Sequence, residues 1–157
     1  MSNVDLRGFT YPLQALMQRK QWQVDEGLRE LAAALRRLDQ ANQEHARLAA
    51  SCESHAEHAR NAWRDRTDPA SYQQLLAYLA LQQTARLQME KNLHELRLAQ
   101  QQAQQDYVGL RQELDGLQRH RKDRQDEYMA NQTARLLSQA DQDWLARLPF
   151  RGTGAGA

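Results

Sequence analysis

The sequence predicts an all-α fold, a long antiparallel two-helix coiled-coil hairpin whose second helix is longer and overhangs the first. Only 41% of the 157 residues are hydrophobic and 6% are aromatic, which is too little apolar side chain for a thick globular core. The apolar residues are mostly leucine and alanine, which favour helix over strand. The three prolines lie near the two ends and at one internal point, so two long uninterrupted stretches remain for helices.

The first helix is expected to span about residues 12–64, after an N-terminal extension of residues 1–11. Pro12 suits the first turn, because a proline there lacks only an N–H group that would have no partner anyway. Apolar residues then recur at alternating spacings of four and three, the heptad pattern of a coiled coil. The expected core positions are Val24, Leu28, Leu31, Leu35, Leu38, Asn42, His45, Ala49, Cys52, Ala56, Ala59 and Trp63. Two of these, Asn42 and His45, are polar, and polar core residues commonly specify register or pairing.

The turn is expected at about residues 65–68, within the sequence RDRTDPAS. Asp68 and Pro69 match an N-cap followed by the first residue of a new helix, which should span about residues 69–148. Heptad spacing resumes immediately after this start. The expected core positions are Tyr72, Leu75, Leu79, Gln82, Arg86, Met89, Leu93, Leu96, Gln100, Ala103, Tyr107, Leu110, Leu114 and Leu117.

The overhang is expected where this second set of core positions ends. Arg121 and Arg124 occupy the next two positions, and folding the chain back about the turn leaves them near the end of the first helix. Apolar residues return in another phase at Leu137, Trp144 and Leu148. Pro149 should then stop the helix, and residues 149–157 are expected to be a disordered tail.

No motif in the chain predicts catalysis or a bound cofactor. The glycines between the two ends are isolated, so there is no glycine-rich phosphate loop. Cys52, His55 and His58 have a helical spacing that could bring metal ligands together, with Glu57 nearby. In the heptad frame, however, Cys52 faces the core, whereas His55 and His58 point progressively away from it. We favour a structural role for these residues and expect no enzyme activity, no metal and no cofactor.

Charge and composition predict a cytoplasmic protein without direct membrane insertion. The formal net charge is +1, from 21 basic and 20 acidic residues, so no overall field attracts nucleic acid or an anionic membrane. No run approaches the roughly 20 apolar residues of a membrane span. The N-terminus shows no apolar core of a signal peptide, and a single cysteine fits a reducing compartment.

Two local features suggest contact with other proteins. One is a basic cluster, which is either a solvated helix face or a contact for an acidic protein partner. A nucleic-acid role is disfavoured because the basic stripe is short and no phenylalanine, tyrosine or tryptophan is interleaved as a stacking platform. The cluster consists of Arg119, His120, Arg121, Lys122 and Arg124. The second feature follows the turn, where Leu76, Tyr78 and Leu81 fall outside the expected core. This excess of apolar residues indicates a docking face, or else completes the core.

Two stretches of the sequence resemble the FliJ-type family. FTYPLQALMQRKQWQVDEGLREL, residues 9–31, resembles the family's aromatic start leading into Leu-Gln-x-Leu and an amphipathic helix. SYQQLLAYLALQQ, residues 71–83, is similar to the family's stretch after the turn. The family includes flagellar FliJ and its SctO/YscO-type and Hrp-type counterparts in the injectisomes of type III secretion. The first-helix segment SCESHAEHARNAW departs from the aromatic residues of flagellar relatives, which favours an injectisome member.

The resemblance implies a central stalk for the type III export ATPase. Both chain ends would enter the hexameric ATPase ring, the turn would contact the cytoplasmic domain of the export gate, and the protein would also escort secretion chaperones. The implied ring contacts are Leu13, Leu16, Met17, Arg121, Arg124, Leu137, Trp144 and Leu148. The implied gate contacts are Tyr72, Leu75, Leu76, Tyr78, Leu79, Gln82 and Arg86.

The expected function is therefore a non-enzymatic stalk, coupling factor and chaperone escort, located in the cytoplasm at the periphery of the inner-membrane secretion apparatus. The alternative is a generic coiled-coil scaffold, or a chaperone-like adaptor that binds partner helices without an ATPase. Because a two-helix hairpin buries only a narrow stripe, a weak homo-oligomer is compatible with either function.

Overall fold

The computed structural model describes residues 6–66 and 68–148, which form two helices, α1 (Gln14–Arg64) and α2 (Pro69–Arg147). The two helices pack against each other as a hairpin, and no strand occurs among the described residues. The predicted all-α helical hairpin is confirmed. The expected disordered tail, residues 149–157, lies outside the described residues, as do residues 1–5 of the N-terminal extension.

Helix boundaries lie close to those expected from the sequence. Pro12 and Leu13 form a turn, so α1 begins two residues later than expected. The backbone N–H of Gln14 bonds to the carbonyl of Tyr11 (3.1 Å). Over the part of the chain that is described, neither helix contains an apolar stretch long enough to cross a bilayer.

The start of α2 has the predicted cap. The carboxylate of Asp68 accepts a hydrogen bond from the backbone N–H of Ser71 (3.4 Å), and its carbonyl accepts one from Tyr72 (3.1 Å). Pro69 is the first helical residue. Before the cap, Arg66 has a φ of 53°, a left-handed conformation that commonly follows the last turn of a helix.

The chain divides into two compact units. The turn unit is Gln21–Gln112, and the terminal unit combines Met1–Lys20 with Glu113–Ala157.

In the turn unit, the predicted core face of α2 is confirmed. Every core position expected between Tyr72 and Leu110 is buried or half-buried. Leu93 and Gln82 are the most buried of them, at 4% and 8% exposure.

The predicted core face of α1 is only half right. One of the two sets of core positions is buried or half-buried as expected: Val24, Leu31, Leu38, His45, Cys52 and Ala59. In the second set, Leu28, Leu35, Asn42 and Trp63 are exposed, with exposures of 50% for Leu28 and 71% for Trp63. Ala49 and Ala56 of this set are half-buried as expected, but the residues one position earlier lie inside along the whole helix: Gly27, Ala34, Ala41, Leu48, His55 and Ala62.

Small side chains explain this rotation of α1. Gly27 and Ala41 are buried and leave little bulk between the helices, so the backbones approach closely. A Cβ atom on Gly27 would lie only 3.3 Å from Cδ1 of Leu110 and 3.8 Å from the Cα of Tyr107. Leu28 and Leu35 would hold the helices further apart, and they lie at the flank of the interface. The helices therefore pack through the column of small residues and not through the more hydrophobic column that contains Leu28 and Leu35.

In the terminal unit, the core of α2 continues beyond the start of α1. Leu114 is 2% exposed, and Leu117, Arg121, Gln125 and Tyr128 are half-buried. Arg124, the expected core position after Arg121, is exposed, because half-buried Gln125 takes the inward position.

Candidate functional site

The Cys52, His55 and His58 segment lies partly inside the hairpin. Cys52 and His55 are half-buried between the helices, and His58 is exposed. Among the described residues, no three or more histidine, cysteine, aspartate or glutamate side chains are arranged to hold a metal ion.

A polar cluster lies at the centre of the expected gate-contact region. The amide nitrogen of Gln82 donates hydrogen bonds to the hydroxyls of Ser51 and Tyr78, each at 3.2 Å. Its amide oxygen lies 3.1 Å from Nδ1 of His55 and can only accept, so Nδ1 carries the hydrogen of this bond. The ring of His55 also meets the ring of Tyr78 edge-on, with centroids 5.1 Å apart. A glutamine in the core is thus tolerated because its polar atoms are satisfied.

Arg86, another expected gate contact, is held by a charged partner on its own helix. Its Nε lies 3.3 Å from Oε1 of Glu90. The same oxygen lies 3.6 Å from Nε2 of His45, which is too long for a hydrogen bond, and this buried nitrogen has no hydrogen-bond partner within the described ranges. His45, predicted as a polar core residue, is therefore inside but incompletely paired.

The other expected gate contacts differ in burial and do not all lie on one surface. Tyr72, Leu75 and Leu79 are half-buried against α1, whereas Leu76 and Tyr78 are exposed, at 44% and 47%.

Helical geometry separates the exposed residues further. At about 100° per residue, Leu76 and Tyr78 point about 160° apart around α2, and Leu81 lies nearer Tyr78 than Leu76. Tyr78 is half-exposed but is engaged by Gln82 and His55. The excess of apolar residues after the turn is therefore not a single patch.

Leu76 belongs to a surface that the sequence did not predict, which we call the turn groove. It lies beside the turn, and its apolar lining comes from both helices: Ala56, Ala59, Ala62, Trp63, Pro69, Tyr72, Leu76 and Leu79. The rings of Trp63 and Tyr72 contact each other across the hairpin, with centroids 5.3 Å apart and planes at 45°. Arg60, Arg64 and Arg66 also line the groove.

Away from the turn, the N-terminal segment before α1 packs against α2. Tyr11 is buried, and its hydroxyl lies 2.8 Å from Nδ1 of His120 and 3.3 Å from the carbonyl oxygen of Leu117. The ring of Phe9 packs on the ring of Tyr128, with centroids 5.6 Å apart.

The backbone of this segment is shaped to accept the second tyrosine. The hydroxyl of Tyr128 donates to the carbonyl of Arg7 (3.1 Å). Gly8 has a φ of 95°, and a Cβ there would lie 3.3 Å from the Tyr128 hydroxyl, so both backbone conformation and space favour glycine. We call Phe9, Tyr11, His120 and Tyr128 the aromatic clip.

The expected ring contacts fall into two environments. Leu13 and Leu16 are exposed and Met17 is half-buried at the start of α1. On α2, Arg121 is half-buried, with a buried Nε that has no hydrogen-bond partner among the described residues, and exposed Arg124 pairs with Glu127 at 2.9 Å.

The end of α2 packs against no other helix of the described residues. Every residue from Thr133 to Leu148 is exposed. The large apolar residues in this stretch are Leu136, Leu137, Trp144, Leu145 and Leu148.

Sequence reasoning missed the aromatic clip and the turn groove. One signal was available for the clip: Tyr128 lies seven residues after Arg121, in the heptad column that begins at Tyr72. The contacts of Phe9 and Tyr11 could not be read in this way, because the segment before α1 has no periodicity to place it.

Comparison with known proteins returns no matching family model, no similar curated protein and no similar solved structure.

Proposed function

We propose that this chain is a non-enzymatic stalk, coupling and chaperone-escort protein of a type III export apparatus. The end of the hairpin that carries both chain termini would insert into the hexameric export ATPase, and the turn would contact the export gate. The support from sequence is the resemblance of residues 9–31 and 71–83 to the FliJ-type family. We place the protein in the cytoplasm, peripheral to the inner-membrane secretion apparatus.

The observation that carries the proposal is the exposed apolar end of α2. Leu137 and Trp144 lie seven residues apart, so they share one face of α2, and Leu148 follows directly after Arg147, the last residue of the helix. All three are exposed, with 63% exposure for Leu137 and 64% for Trp144. Large apolar side chains aligned on an unpartnered helix usually mark a surface that another protein covers.

The direction of this face separates it from the hairpin core. Leu137 lies nine residues after Tyr128, and at about 100° per residue the two side chains point to opposite sides of α2. Tyr128 contacts the N-terminal segment through Phe9 and Arg7. A partner could therefore cover Leu137 without displacing the aromatic clip.

The proposal is tested by mixing the protein with the export ATPase encoded in the same genome. We expect ring assembly by the ATPase and a several-fold rise in its rate of ATP hydrolysis. A double variant, Leu137→Ala with Trp144→Ala, should lose most of this stimulation because it removes the apolar face.

The matched control is Leu87→Ala with Leu98→Ala, which removes two exposed leucines of the same helix within the turn unit. This variant should stimulate the ATPase normally. A folded protein that neither binds nor stimulates the ATPase, or equal losses in the two double variants, would contradict the stalk function.

The second candidate is an adaptor that binds partner helices without an ATPase. It is favoured by Leu28 and Leu35, which are exposed along the flank of the α1 core. In that case, secretion chaperones would bind normally to a variant with Trp144→Ala and Leu148→Ala, but would lose affinity for one with Leu28→Ala and Leu35→Ala. Co-purification of both the ATPase and the chaperones distinguishes the two functions, because a stalk binds the ATPase and loses it in the Trp144→Ala, Leu148→Ala variant, whereas an adaptor of this kind binds no ATPase.

A further inference from the structure

We propose that the turn groove binds an amphipathic α-helix of two to three turns that carries carboxylates beside its apolar face. This is a property of the turn unit and would hold with or without an export ATPase. Its support is the exposed apolar lining of the groove, the charge beside that lining, and the helical structure of its walls.

The apolar lining includes a large side chain, Trp63, that a partner can cover without moving either helix. Trp63 is 71% exposed even though one part of its ring contacts Tyr72. Leu76, from α2, is also exposed in the same groove. A partner that covers the indole and the leucine removes apolar area from water without any rearrangement of the two helices.

The charge beside the lining favours an acidic partner. Arg60, Arg64 and Arg66 line the groove, and its lining contains no carboxylate among the described residues. Arg60 pairs with Glu53 at 3.1 Å, but both side chains are largely exposed, and such pairs exchange readily with solvent. Arg64 and Arg66 make no ion pair within the described ranges. Arginine binds carboxylates through two parallel hydrogen bonds, so this lining selects aspartate or glutamate.

The walls of the groove favour a helix over an extended segment. Both walls are helices whose backbone groups are paired internally, and no strand edge occurs among the described residues. An extended peptide would leave its own backbone groups unpaired on the apolar lining, whereas a helix satisfies them itself.

Helical rise sets the length of the occupant. From Ala56 to Trp63 on α1 the wall is about 11 Å long, which is about two turns. One further turn would bring flanking carboxylates to the arginines.

The test uses a synthetic peptide of about 16 residues with leucines at i, i+3, i+4 and i+7 and glutamates beside them. The reporter is Trp63, made the sole tryptophan by Trp22→Phe and Trp144→Phe, which replace the other two of the three exposed tryptophans. We expect a saturable blue shift of Trp63 emission as the peptide binds.

Two variants in this background should weaken binding by about tenfold or more. Leu76→Glu places a charge on the apolar lining, and Arg60→Glu with Arg64→Glu reverses the charge beside it. Both change exposed residues, so circular dichroism should show unchanged helicity.

The controls match these changes outside the groove. Leu81→Glu alters an exposed leucine on the same helix, and Arg36→Glu with Arg37→Glu makes the same change in net charge on α1. Each should change the dissociation constant by less than about twofold.

Four results would overturn the proposal. The first is equal binding of a peptide with lysine in place of every glutamate, and the second is equal loss in Leu76→Glu and Leu81→Glu. The third is self-association that sedimentation shows to be abolished by Leu76→Glu, because the occupant would then be a second copy of this chain. The fourth is an equal shift of Trp63 emission by vesicles of phosphatidylcholine and phosphatidylserine, because the groove would then bind lipid.

Discussion

At the scale of single residues, Gly27 decides how closely the two helices pack in the turn unit. Gly109, in the same unit, has no atom within 4 Å of where a Cβ would lie, so it serves no such packing role. The two glycines look alike in the sequence, and only the neighbours of each backbone distinguish them.

We expect Gly27→Leu to lower the free energy of unfolding by about 1–3 kcal/mol, because the added side chain must displace Leu110 or separate the helices. Gly109→Ala should instead raise it by about 0.5–1 kcal/mol through helix propensity. Urea unfolding followed by circular dichroism measures both. A neutral or stabilising Gly27→Leu would show that the helices are not in close contact at this point.

Gln82 is the basis of a second prediction. Its amide forms hydrogen bonds with Ser51 and His55 on α1 and with Tyr78 on α2. Gln82→Ala should cost about 1–3 kcal/mol, since it leaves the polar atoms of Ser51 and His55 without this partner.

A leucine at position 82 separates polarity from volume. If the loss in Gln82→Ala is due to missing hydrogen bonds, Gln82→Leu should be destabilising as well, although it fills the space. A fully stable Gln82→Leu in the same urea titration would show that only the volume of the side chain matters.

At the scale of elements, the aromatic clip joins the segment before α1 to α2. Tyr11→Phe should lower stability by about 0.5–1.5 kcal/mol, because it removes the hydroxyl that contacts His120 and the Leu117 carbonyl. Tyr11→Ala should cost more, because it also empties a buried site.

Hydrogen exchange locates this effect. Amides of α2 between residues 114 and 128 should exchange faster in Tyr11→Ala, whereas those between residues 133 and 147 should be unchanged, since that part of the helix is already exposed. Unchanged exchange in the first range would mean that the clip does not hold α2.

The two helices also differ in how well their patterns predicted their cores. On α2, most of the heptad positions are tyrosine or leucine, and the interface follows the heptad positions. On α1, leucines and small residues occupy adjacent columns, so Leu28 and Gly27 both fit a heptad count. Which of the two is buried depends on how closely α2 approaches α1, and this distance cannot be predicted from the sequence of α1 alone.

At the scale of the whole molecule, little side-chain area is fully removed from water. Among the described residues, no side chain falls below 2% exposure, and the buried apolar set has only six members: Tyr11, Val24, Ala41, Ala59, Leu93 and Leu114. We expect a free energy of unfolding of about 5 kcal/mol or less for the free protein, at the low end for folded domains.

A binding partner should raise this value. At a free partner concentration one hundred times its dissociation constant, the increase should be about 2.7 kcal/mol. Urea unfolding with and without the acidic peptide measures the change for the turn groove. A free protein stable by more than about 10 kcal/mol would contradict the view that a narrow interface limits stability.

The amino-acid pattern was enough to predict the helical class, the turn with its Asp68 and Pro69 cap, the core face of α2 in the turn unit and the apolar residues near the end of that helix. These follow from local properties, namely helix propensity, capping chemistry and heptad spacing, which do not depend on a partner. The packing of the two helices was needed to establish which face of α1 is buried, that the N-terminal aromatic residues contact α2, and that Trp63 and Leu76 line one groove. Each of these depends on contacts between residues far apart in the chain, where the fit of small and large side chains outweighs the hydrophobicity of either helix alone.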